Sequence, residues 1–147
     1  MTELLPISWS YFIKLLDRTA ENIKDHYKGD LNEVYFWGIP VSGTIIASIM
    51  VKRHGGNLAN GLRDFTIVDK RNICVVDDLC DTGKTLEPYV LAGSAGIPIT
   101  TATLYRRYSS TVIPSIVGQV VNHDNWIVWP WESKSEEQQR ADAHRIN

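Results

Sequence analysis

The chain has 147 residues, 44% of them hydrophobic, and a formal net charge of −2. That length suffices for one domain with a sizeable core, and the mild negative balance argues against nonspecific duplex binding, which needs a strongly positive surface. No basic-then-apolar signal segment opens the sequence and no apolar stretch is long enough to span a bilayer, so a soluble cytoplasmic protein without nucleic-acid or membrane partners is expected.

Taken in chain order, Trp9, Phe12, Ile13, Leu16, Ala20 and Ile23 recur at helical spacing, with Ser8 as the cap, so residues 9–28 read as an amphipathic helix. Glu33 to Trp37 is short, aromatic and β-branched and ends at Gly38, the pattern of a buried strand entering a loop. Past Gly43, the spacing of Ile46, Ile49 and Met50 predicts a second helix that breaks near Gly55-Gly56. Residues 57–70 read as irregular or extended, with Phe65 to Val68 as a short strand. Ile73 to Val76 is a compact run suited to a central strand, and Cys74 within it reads as buried. With no CxxC pair between Cys74 and Cys80, a reducing compartment is the simpler inference. Thr85 to Ala95 predicts a helix, and Ile99 to Tyr105, Ile116 to Val121 and Trp126 to Val128 predict strands. Strands alternating with helices favour a single α/β domain over residues 1–131, with a largely parallel central sheet flanked by helices and a polar tail at 132–147.

The chemistry concentrates in Ile73-Cys74-Val75-Val76-Asp77-Asp78-Leu79-Cys80-Asp81-Thr82-Gly83-Lys84-Thr85. An apolar strand passes through three carboxylates into a polar turn and then a helix. Ligands of open α/β sheets gather beyond the carboxyl ends of strands, and a helix start offers unpaired N–H groups to anions. Thr82, Gly83, Lys84 and Thr85 can therefore cradle a monophosphate. Gly83-Lys84-Thr85 matches the end of a P-loop, but Asp78 stands where that pattern needs a glycine. Asp77 and Asp78 would repel a bare phosphate; they suit sugar hydroxyls, magnesium or an electropositive reaction centre.

The segment from Val75 to Leu86 closely resembles the phosphoribosyl pyrophosphate motif of type I phosphoribosyltransferases. The resemblance implies that Asp77 and Asp78 meet the ribose hydroxyls, directly or through Mg2+, and that Thr82 through Thr85 bind the 5-phosphate. It places Asp81 near the purine imidazole, where it takes a proton. Gly38-Ile39-Pro40-Val41-Ser42-Gly43 is similar to the pyrophosphate loop of the same enzymes. Many relatives carry Arg or Lys in that loop; here Ser42, the backbone and the flanking Gly38 and Gly43 would do more. Trp126 to Glu132 resembles the late motif of small 6-oxopurine enzymes, the short bacterial xanthine–guanine phosphoribosyltransferases and archaeal relatives. By that likeness Trp126 packs near the base, the Ile127 backbone reads its edge, and Arg107 falls where a lysine meets the 6-oxo group. The implied reaction joins hypoxanthine, guanine or xanthine to 5-phosphoribosyl 1-pyrophosphate, in a homo-oligomer (dimer or tetramer). The alternative is a regulator that keeps the pocket without efficient catalysis. It draws on the short interval from Gly56 to Arg71, where relatives carry a hood loop.

Overall fold

The computed structural model describes residues 3–59 and 72–132. Its elements are β1 (Leu4–Pro6), α1 (Trp9–His26), β2 (Val34–Gly38), α2 (Ser42–His54), β3 (Asn57–Leu58), β4 (Asn72–Cys80), α3 (Glu87–Ser94), β5 (Ile99–Arg107), β6 (Ile116–Val121) and β7 (Trp126–Val128). Five strands form one parallel sheet in the order β3-β2-β4-β5-β6, as the alternating pattern predicts. The suggested strand Phe65 to Val68, most of the hood interval and the polar tail from residue 133 lie outside the described residues.

α1 starts where the sequence places it: the Ser8 side chain accepts from the Tyr11 amide at 3.1 Å, a conventional N-cap. Its apolar stripe, Phe12, Leu16 and Ile23, packs with Ile46 and Met50 of α2 onto Phe36, Cys74 and Val76 of the sheet. Asp17 ties the two helices together, accepting from Arg53 at 3.0 and 2.7 Å and lying 2.7 Å from His54 Nε2. The opposite sheet face is thinner. Ile73, Val75 and Leu86 form a second core there with Tyr89 of α3 packed against it. Among the described residues no helix is long and apolar enough to cross a membrane.

Several features depart from the sequence reading. β4 runs on to Cys80, so Asp77 and Asp78 lie within a strand rather than after one. α3 begins at Glu87 rather than Thr85, which leaves Thr82 to Thr85 as a free-standing turn before it. β1 was not anticipated; it pairs in parallel with β7, Leu4 opposite Trp126 and Pro6 opposite Val128. Three residues ending in proline carry almost no local strand signal, and their partners lie at the far end of the sequence.

The strand order fixes where a ligand can sit. From β2 the chain moves outward to β3, then crosses back to place β4 on the other side of β2. The loops leaving β2 and β4 therefore diverge, opening a crevice beyond their carboxyl ends.

Candidate functional site

Both segments singled out by sequence meet at this crevice. Ile39 N–H donates to Val76 O at 2.9 Å, fastening the loop after β2 to the end of β4. Gly43 is needed for that approach, since a Cβ there would stand 2.5 Å from Val76 O, and one on Gly38 would strike the Gly43 carbonyl. The Pro40–Val41 peptide is cis. α2 then opens at Ser42 with no side-chain cap, and α3 opens after Leu86 in the same way. At α2 the Ser42 and Gly43 N–H groups are thereby left as anion receptors, in contrast to the capped start of α1; at α3 the Glu87, Tyr89 and Val90 amides are taken by Gly83 O and Leu86 O, and Pro88 has none.

The acidic pair interrupts its own ladder. Asp77 pairs with Thr103 and Leu79 with Tyr105, but the ladder skips Asp78. Asp77 Oδ1 accepts from the Asp78 amide at 2.8 Å, and Asp78 Oδ1 from the Leu79 amide at 2.7 Å. Inward-facing residues change phase here: Cys74 and Val76 belong to the larger core, yet two odd-even steps later Leu79 packs on that core and Cys80 on the other. The register with β5 is the same on both sides of Asp78, so no residue is inserted, yet the side chains are re-aimed at this edge. Burial, followed by the Asp78 charge, pushes the Asp77 carboxyl up to about 8. Burial also raises Asp78, and its hydrogen bonds, the Trp129 indole among them, act against that rise.

Beyond Asp81 the chain forms a turn around Gly83, whose φ of +88° is left-handed and whose missing side chain admits Val112. Gly83 O accepts the Glu87 amide at 2.9 Å, so the turn leads straight into α3. A small cavity of about 80 Å³ is lined by Asp77, Asp81, Thr82, Gly83, Lys84 and Thr85, among others. A larger cleft of about 530 Å³ adjoins it, lined by Asp81, Arg107, Tyr108, Ser109, Val121, Asn122, His123, Asp124 and Trp126. Asp81 belongs to both.

Arg107 differs from its expected part as a free donor to a ligand carbonyl. It is only 6% exposed. It donates to His123 O at 2.8 Å, to Asn125 O at 2.7 Å and from Nε to Asp81 at 3.3 Å. These contacts occupy three of the five N–H bonds of the guanidinium. Trp126 lines the cleft, whereas the Ile127 side chain is buried in the core. Trp126 N–H and Val128 O both bond toward β1, through Glu3 O and Ile7 N–H. Strand alternation therefore turns the Ile127 amide and carbonyl to the opposite edge of β7, where among the described residues no further strand pairs. Tyr108, Ser109, Asn122, His123 and Asp124 line the cleft without having been singled out by sequence. His123 Nδ1 is buried with no partner among the described residues. The one available signal was position: a polar run between two strands at the carboxyl edge of the sheet.

No protein-family model matches the chain, and no curated protein sequence does. Solved structures do. A purine phosphoribosyltransferase from Pyrococcus horikoshii OT3 superposes with a TM-score of 0.66 at 22% identity, covering 90% of this chain and 96% of its own. The Helicobacter pylori xanthine-guanine-hypoxanthine phosphoribosyltransferase gives 0.67 at 18% identity over 97% and 100%. A hypothetical protein from Neisseria gonorrhoeae with bound ppGpp gives 0.71 at 17% identity over 100% and 99%. The chain thus has the type I phosphoribosyltransferase fold.

Proposed function

We propose that this protein is a purine phosphoribosyltransferase that joins a 6-oxopurine to 5-phosphoribosyl 1-pyrophosphate and releases pyrophosphate. The observation that carries this reading is the pair of adjoining cavities sharing Asp81, one sized for a phosphate and ringed by Thr82 to Thr85, the other walled by Trp126 and polar groups. The turn would hold the 5-phosphate through backbone N–H groups, hydroxyls and Lys84. Asp77 and Asp78 would take the ribose hydroxyls, while Gly38 to Gly43 and the uncapped start of α2 would receive the pyrophosphate. A purine nitrogen then attacks the anomeric carbon as the bond to pyrophosphate breaks, and Asp81 accepts the proton that the imidazole loses.

The site suits Mg2+ as a shared rather than a caged ion. Among the described residues no group of three or more His, Cys, Asp or Glu could hold a metal. A raised carboxyl beside a second carboxyl is the pairing that a divalent cation would relieve. Asp77 and Asp78 would hold it directly or through water, with ligand oxygens completing the shell. When bound it would neutralise charge on the departing pyrophosphate.

For the base, Trp126 offers a flat apolar wall and the outward Ile127 backbone offers a donor and an acceptor. The test is an activity screen with phosphoribosyl pyrophosphate, Mg2+ and hypoxanthine, guanine, xanthine, adenine and orotate. Pyrophosphate release with at least one 6-oxopurine is expected; turnover with orotate alone would sink the proposal.

A second reading is a nucleotide-binding regulator that uses the same pocket. It is favoured by the gonococcal structure, which matches over the whole chain and carries ppGpp. Calorimetry with ppGpp and with phosphoribosyl pyrophosphate separates the two. Tight binding of both, with no pyrophosphate release for any base, would establish the regulator.

A further inference from the structure

We infer that Trp131 is a positioning residue that fixes the Ser42 hydroxyl as a donor to the leaving pyrophosphate, although it lies in the segment expected to serve the base. The inference rests on the phosphoribosyl reading of the site.

Trp131 Nε1 donates to Ser42 Oγ at 3.2 Å. An indole N–H cannot accept, so the direction of this bond is fixed. Ser42 spends a lone pair on Trp131 and keeps its own proton to give elsewhere. Ser42 is the first residue of α2, at a helix start with no side-chain cap, and residues 38–43 contain no Lys or Arg. A hydroxyl held as a donor beside unpaired helix N–H groups supplies part of what a basic side chain would give to an anion.

Trp131 can do this because it is held firmly. Its ring stacks on Trp129 at 5.5 Å and 2°, and meets the fully buried Phe12 edge-on at 5.1 Å. The stacked pair therefore ties the loop after β2 to the core, in which Trp129 is buried.

The test compares Trp131→Phe, which keeps a stacking ring and loses the N–H, with Ser42→Ala and the double variant. Affinity for inorganic pyrophosphate with Mg2+ is measured by calorimetry, and KM for the base by turnover. Each single change should weaken pyrophosphate about tenfold, the scale of one charge-assisted hydrogen bond. The double variant should be no weaker than the singles, and base KM should stay within about twofold. Wild-type affinity in Trp131→Phe, losses that multiply in the double variant, or an equal loss for the base would each overturn the inference. A readout without ligand keeps the two proposals apart. The Trp131 indole 15N–1H resonance should move in Ser42→Ala; if it does not, the inference fails alone. A wild-type protein that binds no pyrophosphate overturns the phosphoribosyl reading and takes the inference with it.

Discussion

Arg107 donates from Nε to Asp81 Oδ1 at 3.3 Å, across the seam between the small cavity and the larger cleft. The same guanidinium holds the carbonyls of His123 and Asn125, so one buried cation sets both the carboxylate and the loop opposite it. Arg107→Ala should therefore act on every base alike. Two carbonyls lose their donor, at about 1–3 kcal/mol for each that stays buried. Thermal unfolding should fall by at least about 3 °C, and KM should rise for hypoxanthine, guanine and xanthine together. Selective loss of one purine with an unchanged unfolding temperature would make Arg107 a base reader and not a brace.

Asp81→Asn keeps the shape of the seam and removes its proton acceptor. Turnover should drop by about 100-fold, the usual scale of a general base, while affinity for phosphoribosyl pyrophosphate stays close to wild type. Single-turnover kinetics beside calorimetry separates the two quantities. Unchanged turnover would reject Asp81 as the acceptor.

Gly83→Ala should damage the phosphate turn specifically. Its left-handed φ costs a side chain about 1–2 kcal/mol, and the new Cβ would collide with Val112. The expected result is at least tenfold weaker binding of ribose 5-phosphate, read by calorimetry, with base binding less affected. Equal affinity for the sugar phosphate would mean that the turn does not hold it.

The ligand-free protein should lose stability as pH rises from about 4 to about 8. Asp77 titrates near 3.8 when unfolded and is pushed up to about 8 when folded, chiefly by burial. Between those values the folded state binds more protons, so each added pH unit favours unfolding until the folded group has ionised. Asp17 does not offset this, because its carboxyl is lowered and its share is lost only below the window. Mg2+, which meets the ionised pair, should raise the unfolding temperature more at about pH 8.5 than at about pH 5.5. Calorimetric scans across pH, with Asp77→Asn as control, read this out; the control should flatten the slope. A wild-type transition that climbs steadily to pH 8 would contradict the assignment.

Much of this was legible in the sequence because it is local. The period of α1, the bounds of Ile116–Val121 and Trp126–Val128, and the run from Asp77 to Thr85 depend on neighbours within a few positions. Arg107 was harder to read. A basic residue at a strand end looks the same whether its partners are ligand oxygens or the carbonyls of residues 123 and 125, which lie 16 and 18 positions away. The phase change at Asp78 was hidden for a related reason: it arises from two aspartates accepting from the next amide, and strand alternation by itself gives no sign of it. Ser42 was flagged as a loop hydroxyl, but its indole donor stands 89 positions on.

The pairing of β1 with β7 has a consequence for the order of assembly. The small cavity is lined by one continuous stretch, residues 77–86, on a sheet that ends with β6. The wall formed by Trp126 is anchored on Glu3 and opposite Leu4, so it must wait until two segments about 120 positions apart have found each other. The turn after β4 therefore does not depend on that late pairing, whereas the cleft wall does.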